Sequence, residues 1–450
     1  MLNDIYGCAL STSSRPAADR FNVALRLIRT YHGDPIATLD AAIEHDPQFG
    51  LAWITRAVLL AQMTDRIFAE DVTRSLRAAA ACDLDDRERN HMAGAVAWAE
   101  GRFHDGTMIF ARIAQEYPRD LLAVQNAHVG CFFIGSQFEL RDIPLAALRA
   151  AREGSEGRHA LLGMAAFGLE ECGDYARAEA LGQEAVDLEP TDAWAVHAVA
   201  HVNEMRGDLA TGRDWLNDTS MGWSEDCGFS YHNWWHLALL HMDAQDPKAA
   251  LKLYDERIRP REEANVALEM LDASALLWRL YLDGIDTGDR FQRLARAWET
   301  KAEDGVLAFN DLHAVMAFLG AGQPMLAERT LAAMRRTAQG QGDNAWMTRE
   351  IGLPLAEGFI AFDAKRYAEA IEKIARVRGL AQRFGGSHAQ RDVLSLTALH
   401  AAIRGNMRAT AEAFAAERVM HKPHSPWAAR LSRYAKAIGG DEAIPADFGL

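Results

Sequence analysis

GDYARAEALGQEAVDLEP, residues 173–190, is the stretch from which the fold can be read. Gly173-Asp174 supplies a turn, Tyr175 opens a run in which the small Ala178 and Ala185 lie seven residues apart, and Pro190 closes it. Small residues let a second helix approach closely. Proline ends a helix because it lacks an N–H and clashes with the preceding turn. The stretch therefore reads as the second helix of a helical hairpin. GRFHDGTMIFARIAQEYP, residues 101–118, repeats the layout: a Gly, an aromatic two residues on, and a Pro seventeen residues after the Gly.

Working outward, the same punctuation recurs at Gly207-Asp208, Asp246-Pro247, Gly288-Asp289, Gln323-Pro324, Lys365-Arg366 and Gly405-Asn406. From Asp174 onward the steps are roughly 34 to 43 residues, the size of a helix-turn-helix repeat. Before each turn stands an amphipathic run, such as WWHLALLHM (234–242), LLWRLYLDG (276–284) or PLAEGFIAF (354–362). Apolar residues at three- and four-residue spacing make these helices, and the alternating β-branched runs of a sheet are missing. The expectation is an all-α protein of tetratricopeptide-like helix-turn-helix repeats, stacked in a right-handed superhelical solenoid of roughly eight or nine helix pairs. It would span 1–450 as one domain, with atypical caps at 1–35 and 425–450.

The composition is 49% hydrophobic and 25% charged, without an apolar run of membrane-spanning length. Lys plus Arg is 48 against 63 for Asp plus Glu, so the net charge is 48 − 63 = −15. That balance repels nucleic acid and anionic membrane, and neither is expected as a partner. The five cysteines, Cys8, Cys82, Cys131, Cys172 and Cys227, are far apart and without a CxxC pair, so they read as mostly buried free thiols. The opening MLNDIYGCALSTSSRPAADR lacks the basic and apolar regions of an export signal, which makes the cytoplasm the expected compartment.

Six blocks carry a resemblance: WAVHAVAHVNEMRGD (194–208), YHNWWHLALLH (231–241), FNDLHAVMAFLGAGQP (309–324), IGLPLAEGFIAF (351–362), GGSHAQRDV (385–393) and HKPHSP (421–426). In this order they resemble the tetratricopeptide repeat protein 38 family, over most of the chain and most densely from about 160 to 430. The resemblance implies the helical-repeat fold and a concave groove lined by the first helix of each pair. It implies little about activity.

Several of these blocks hold polar residues that a repeat does not need. His197, His201 and Glu204 fall at i, i+4 and i+7 on one stripe of a helix, extended backward by Trp194. His232, Asn233 and His236 follow in the next repeat, again with two histidines at i, i+4. Asn310, Asp311 and His313 repeat the Asn-x-x-His spacing, with His313 eleven residues before Pro324 as His236 is before Pro247. His388, Gln390, Arg391 and Asp392 stand at the entry to a further helix, where unpaired backbone N–H groups can meet an anion. Taken singly, His91, His128, His159 and His400 read as packed, hydrogen-bonded histidines, and Trp53, Trp98, Trp278 and Trp298 as core. The paired sets are different, because a buried imidazole without a partner costs about 1–3 kcal/mol.

Two chemistries stay open for these groups. His197 and His201, with His236, could hold a divalent metal such as Zn²⁺, although His-Ala-Val-Ala-His lacks the glutamate of a zinc-protease helix. Without metal, His201, His236 or His313 would act as general base or acid, Asp311 or Glu204 would orient it, and Arg391 would hold a substrate carboxylate. Trp194, His197, Glu204, His232, Asn233, Asn310, His388, Gln390, Arg391 and Asp392 would then line a small-molecule pocket, with hydrolysis of an amide or related metabolite as the reaction. The alternative is a non-catalytic scaffold holding a peptide or partner protein in the groove. A second copy of the chain is a further partner that the sequence admits.

Overall fold

The computed structural model describes residues 2–260 and 265–439. Of the expected caps, Met1 and 440–450 lie outside the described residues. A two-residue antiparallel ladder, Leu2–Asn3 with Ala9–Leu10, precedes the helices. From there the described chain is a succession of helical hairpins. In order they are Arg15–Thr30 with Pro35–His45, Gly50–Gln62 with Ala69–Ala80, Asp86–Ala99 with Phe103–Glu116, Leu121–Ile134 with Gln137–Ala150, and Arg158–Glu171 with Tyr175–Leu188. Ala193–Arg206, Leu209–Asp218, Ser230–Asp243, Pro247–Leu253, Ala267–Leu282 and Arg290–Glu299 follow. The series ends with Ala308–Gly320 and Pro324–Thr337, Leu353–Asp363 and Tyr367–Val377, His388–Arg404 and Arg408–His421, and a last helix Pro426–Ala437. The fold class is all-α, built from helical hairpins.

Local chemistry sets these boundaries. In the stretch that opened the reading, Gly173 has φ +80° and Asp174 caps the helix Tyr175–Leu188 by accepting from the Arg177 N–H. Comparable left-handed residues sit in the expected turns at Gly207, Gly288, Lys365 and Asn406, with Gln245 and Gly322 just before Asp246-Pro247 and Gln323-Pro324. One residue with positive φ reverses the chain in about the space a hairpin allows. Pro35, Pro247, Pro324 and Pro426 each occupy the first helical position, where a missing N–H costs nothing.

The chain divides into two compact units, Met1–Val202 with Asn217–Ser230 and Asn203–Leu216 with Tyr231–Leu450. In the first, Cys131, Leu140, Ala166, Phe167 and Ala198 form a buried cluster flanked by Phe132, Ile143 and Leu181. In the second, Trp278 and Trp298 are fully buried and satisfy their indole N–H groups on Thr397 Oγ1 (3.0 Å) and Ser274 Oγ (2.9 Å). Trp98 is likewise core, whereas Trp53 is half-buried and donates to the Pro47 carbonyl. All five cysteines are free, Cys131 and Cys227 buried and the other three half-buried. Among the described residues no helix is long and apolar enough to cross a membrane.

Candidate functional site

The second unit buries an unusual concentration of charge. Glu204, near the end of Ala193–Arg206, accepts from His236 Nδ1 at 3.0 Å through one carboxylate oxygen and from Lys422 Nζ at 3.0 Å through the other. His236 is fully buried, Glu204 is 3% exposed and Lys422 6%. The helix Ser230–Asp243 presents His232 and His236 one turn apart, so their rings meet at 4.9 Å. His232 donates Nδ1 to Asp272 at 2.6 Å and stacks on Trp235. Around this centre Arg418 pairs with Asp392 at 2.6 Å. Arg279 lies 5.5 Å from the Trp235 ring centroid and donates to the carbonyls of Ala275 and Ala389.

The electrostatics follow from burial set against neighbours. Burial pulls the Lys422 ammonium down, but Glu204 and Asp392 outweigh it and hold its pKa above the ordinary lysine value. Arg418 is raised in the same way, with Asp392 as the main partner against burial. Arg279 goes the other way: burial lowers its pKa, and Asp392 and Glu204 only partly offset that. Burial also favours the charge-free form of Asp392, yet Arg418, Lys422 and Arg279 keep its carboxyl below the usual range.

Asn233 and Asn310 are both buried beside these groups in sequence. His313 is buried and donates Nδ1 to the Phe309 carbonyl at 2.8 Å, and burial lowers its pKa to about 4. Asp311 is buried too, and burial, with Asp304 nearby, raises its carboxyl to about 7. Among the described residues Asp311 Oδ2 makes no hydrogen bond, whereas Glu204 accepts from His236 and Asp272 from His232. At 385–392 the helix entry is closed by its own side chains. Ser387 Oγ accepts from the Gln390 N–H and the Gln390 amide oxygen accepts from the Ser387 N–H. Arg391 donates to the Gly386 carbonyl, Asp392 is the partner of Arg418, and His388 begins the helix.

In the first unit the helix Ala193–Arg206 carries two further histidines of the expected set. His197 and His201, a turn apart, have ring centroids 4.4 Å from each other, with Phe167 at 5.2 and 5.3 Å and Trp194 5.0 Å from His197. The end of the neighbouring helix Arg158–Glu171 brings Glu170 within 3.4 Å of His201 Nδ1. Glu170, Glu171 and His201 are buried, and one ligand atom from each lies within 4.8 Å of the others. One imidazole nitrogen and two carboxylates form a donor set that suits Zn²⁺ or another divalent transition metal.

The lone histidines behave as packing residues. His91 meets Asp120 at 2.8 Å, His128 Nδ1 the Leu140 carbonyl at 3.1 Å and His159 Asp192 at 2.7 Å, while His400 is fully buried. Sequence reasoning missed Lys422, Arg418, Arg279, Asp272, Glu170 and Glu171. A lone arginine in LLWRLYL and the adjacent glutamates of LEEC were visible signals, because a charge inside an apolar run demands a partner.

No family model matches the chain. Among solved structures it is similar to a chain of "Structure of Naa15/Naa10 bound to HypK-THB", with 13% identity and a TM-score of 0.25. That match covers 93% of this chain, which spans about 65% of the length of the other.

Proposed function

We propose that this helical-repeat protein is a relative of the tetratricopeptide repeat protein 38 family and binds a small polar metabolite at side chains buried in its repeats, hydrolysing an amide or related bond. The observation that carries this is the Glu204 carboxylate held between His236 Nδ1 and Lys422 Nζ, 3.0 Å from each, in a buried setting. Buried ion pairs contribute little net stability compared with apolar residues of the same volume, so packing alone gives no reason to assemble them. With Nδ1–H donated to a carboxylate, the neutral His236 ring keeps its lone pair on Nε2, the tautomer a general base needs. In the reaction, Nε2 takes a proton from water as its oxygen adds to the carbonyl carbon. The C–N bond then breaks and the proton passes to the leaving amine. Arg279, whose guanidinium donates to carbonyls and, among the described residues, to no carboxylate, supplies charge for a substrate carboxylate.

A divalent metal is a second reading, favoured by the mutual proximity of Glu170, Glu171 and His201. Their two carboxylates and one imidazole would hold the ion and leave positions for water.

The test is turnover of a panel of small amides and N-acyl amino acids by the full chain, followed by mass spectrometry, alongside elemental analysis. The wild type is expected to release amine from at least one member. His236→Asn should lower kcat by about 100-fold or more, the scale of general-base catalysis, while circular dichroism stays unchanged. If no panel member binds or turns over with folded wild type, the small-molecule reading fails. A stoichiometric peptide partner recovered instead would put the scaffold in its place. One equivalent of metal lost in Glu170→Gln supports the second reading, and metal-free wild type ends it.

A further inference from the structure

The segment Lys422–Arg430 joins the helix Arg408–His421 to the last described helix, Pro426–Ala437, and its donors meet the ends of three earlier helices in turn. Lys422 Nζ donates to Glu204, near the end of Ala193–Arg206, at 3.0 Å. Ser425 Oγ and the Trp427 N–H donate to Asp243, the last residue of Ser230–Asp243. Trp427 Nε1 and Arg430 Nη2 donate to Asp283, which caps the C-terminus of Ala267–Leu282. A carboxylate at the C-terminal end of a helix faces the negative end of the macrodipole and weakens that helix. Here two helices end on such a carboxylate, a third has one in its last turn, and all three accept from the same short segment.

The two faces of the segment differ. Lys422, Ser425 and Trp427 are buried, at 6%, 3% and 3% exposure, whereas His421, Pro423 and His424 are exposed. Lys422 therefore reaches Glu204 from between two neighbours that face solvent. The seating is close: a Cβ on Gly207, whose φ is +76°, would lie 3.2 Å from His424 Cβ and 3.3 Å from Ser425 N. Arg418 adds its guanidinium carbon 5.3 Å from the Trp427 ring centroid while it pairs with Asp392. What ties the segment to the three helix ends is a set of hydrogen bonds to carboxylates. Each can be exchanged for bonds to water, so its net contribution is small and the tie is one that can open.

We propose that Lys422–Arg430 is a strap that closes the Glu204–His236 site, latched on Asp243 and Asp283, and that a ligand enters when the latch releases and Lys422 leaves Glu204. The proposal rests on the small-molecule reading of that site. Glu204 and His236 are 3% and 0% exposed, so a molecule reaches them only when a covering part moves. Lys422 bonds Glu204 directly and is flanked by solvent-facing residues, which makes its segment the part of the cover with least to displace. Closure returns the ammonium to Glu204 and keeps water out of the site between turnovers.

The test uses the full chain and an amine-acylating N-hydroxysuccinimide ester, with the modification of each lysine followed by mass spectrometry. Lys301, 7% exposed in the same unit, reports general loosening. Arg430→Met and Trp427→Phe each remove one donor to Asp283. In either variant Lys422 should be acylated about tenfold faster than in wild type, the effect of losing roughly one hydrogen bond to a charged group, while Lys301 keeps its rate. Unchanged Lys422 rates in both variants, or Lys422 and Lys301 accelerating together, overturn the strap. If Trp427→Phe does not fold, Arg430→Met decides. For any amide that the wild type turns over, Arg430→Met should shift kcat and KM together, and values equal to wild type overturn the segment as the way in. If the wild type neither binds nor turns over any amide, the small-molecule reading fails, whereas the Lys422 rates still decide whether the strap opens.

Discussion

Asp311 illustrates what burial does to a single residue. It stands 5% exposed on Ala308–Gly320, and its carboxyl is raised to about 7 by burial first and Asp304 second. Below about pH 4 the group is neutral in both folded and unfolded chains and contributes no pH dependence. Between about pH 4 and 7 the unfolded chain releases its proton and the native one does not, so stability falls as pH rises. The loss approaches about 4 kcal/mol, three pKa units, above pH 7. Asp311→Asn should remove that slope, so that the denaturation midpoints of variant and wild type draw apart in the variant's favour between pH 5 and 8. Parallel pH profiles would show that the carboxyl is ionised in the native state. The sequence marked Asp311 as a histidine's orienting carboxylate because of its place in NDLH, but spacing along a helix says nothing about which group it faces. Residues 311 and 313 are about 200° apart around the helix, whereas Glu204 meets His236 from another helix.

At the scale of elements, helix identity and hairpin spacing were legible because 3.6-residue periodicity, proline at the first helical turn and a positive-φ turn residue are local properties. How closely two helices approach is not local. Gly168 on Arg158–Glu171 faces Gln137–Ala150, where an added Cβ would lie 2.4 Å from Arg141 Cα and 2.7 Å from the Leu140 carbonyl oxygen. Both obstacles are backbone, so the helices themselves would have to separate. Gly168→Ala is expected to destabilise by about 1–3 kcal/mol despite the better helix propensity of alanine. Gly379, with open space around its Cβ direction, serves as control, and Gly379→Ala should lose nothing. Equal denaturation midpoints for the two variants would show that the helices yield. The polar stripe of Ala193–Arg206 was legible in the same local sense: three-, four- and seven-residue spacing put His197, His201 and Glu204 on one side. The helix that would meet each of them was not, because the ends of Arg158–Glu171 and Arg408–His421 carry no mark in sequence of what they pack against.

For the whole molecule, hairpins packed mainly on their sequence neighbours make stability a sum of local terms, and each compact unit has its own internal contacts. Unfolding should therefore depart from two-state behaviour, with a calorimetric enthalpy larger than the van't Hoff value. Agreement of the two would show that cooperativity runs through the entire chain. Sequence alone determined the all-α class, the turn positions, the acidic balance and the i, i+4 spacing of the paired histidines, since each depends on residue type and short spacing. Only the tertiary structure decided that Glu204 meets Lys422 across 218 residues, that Asp272 and not a neighbour in sequence holds His232, and that Arg29 is buried beside the Tyr6 ring. The reason is physical: helix periodicity fixes the face on which a side chain stands, whereas its partner is fixed by which distant helix packs there and at what distance.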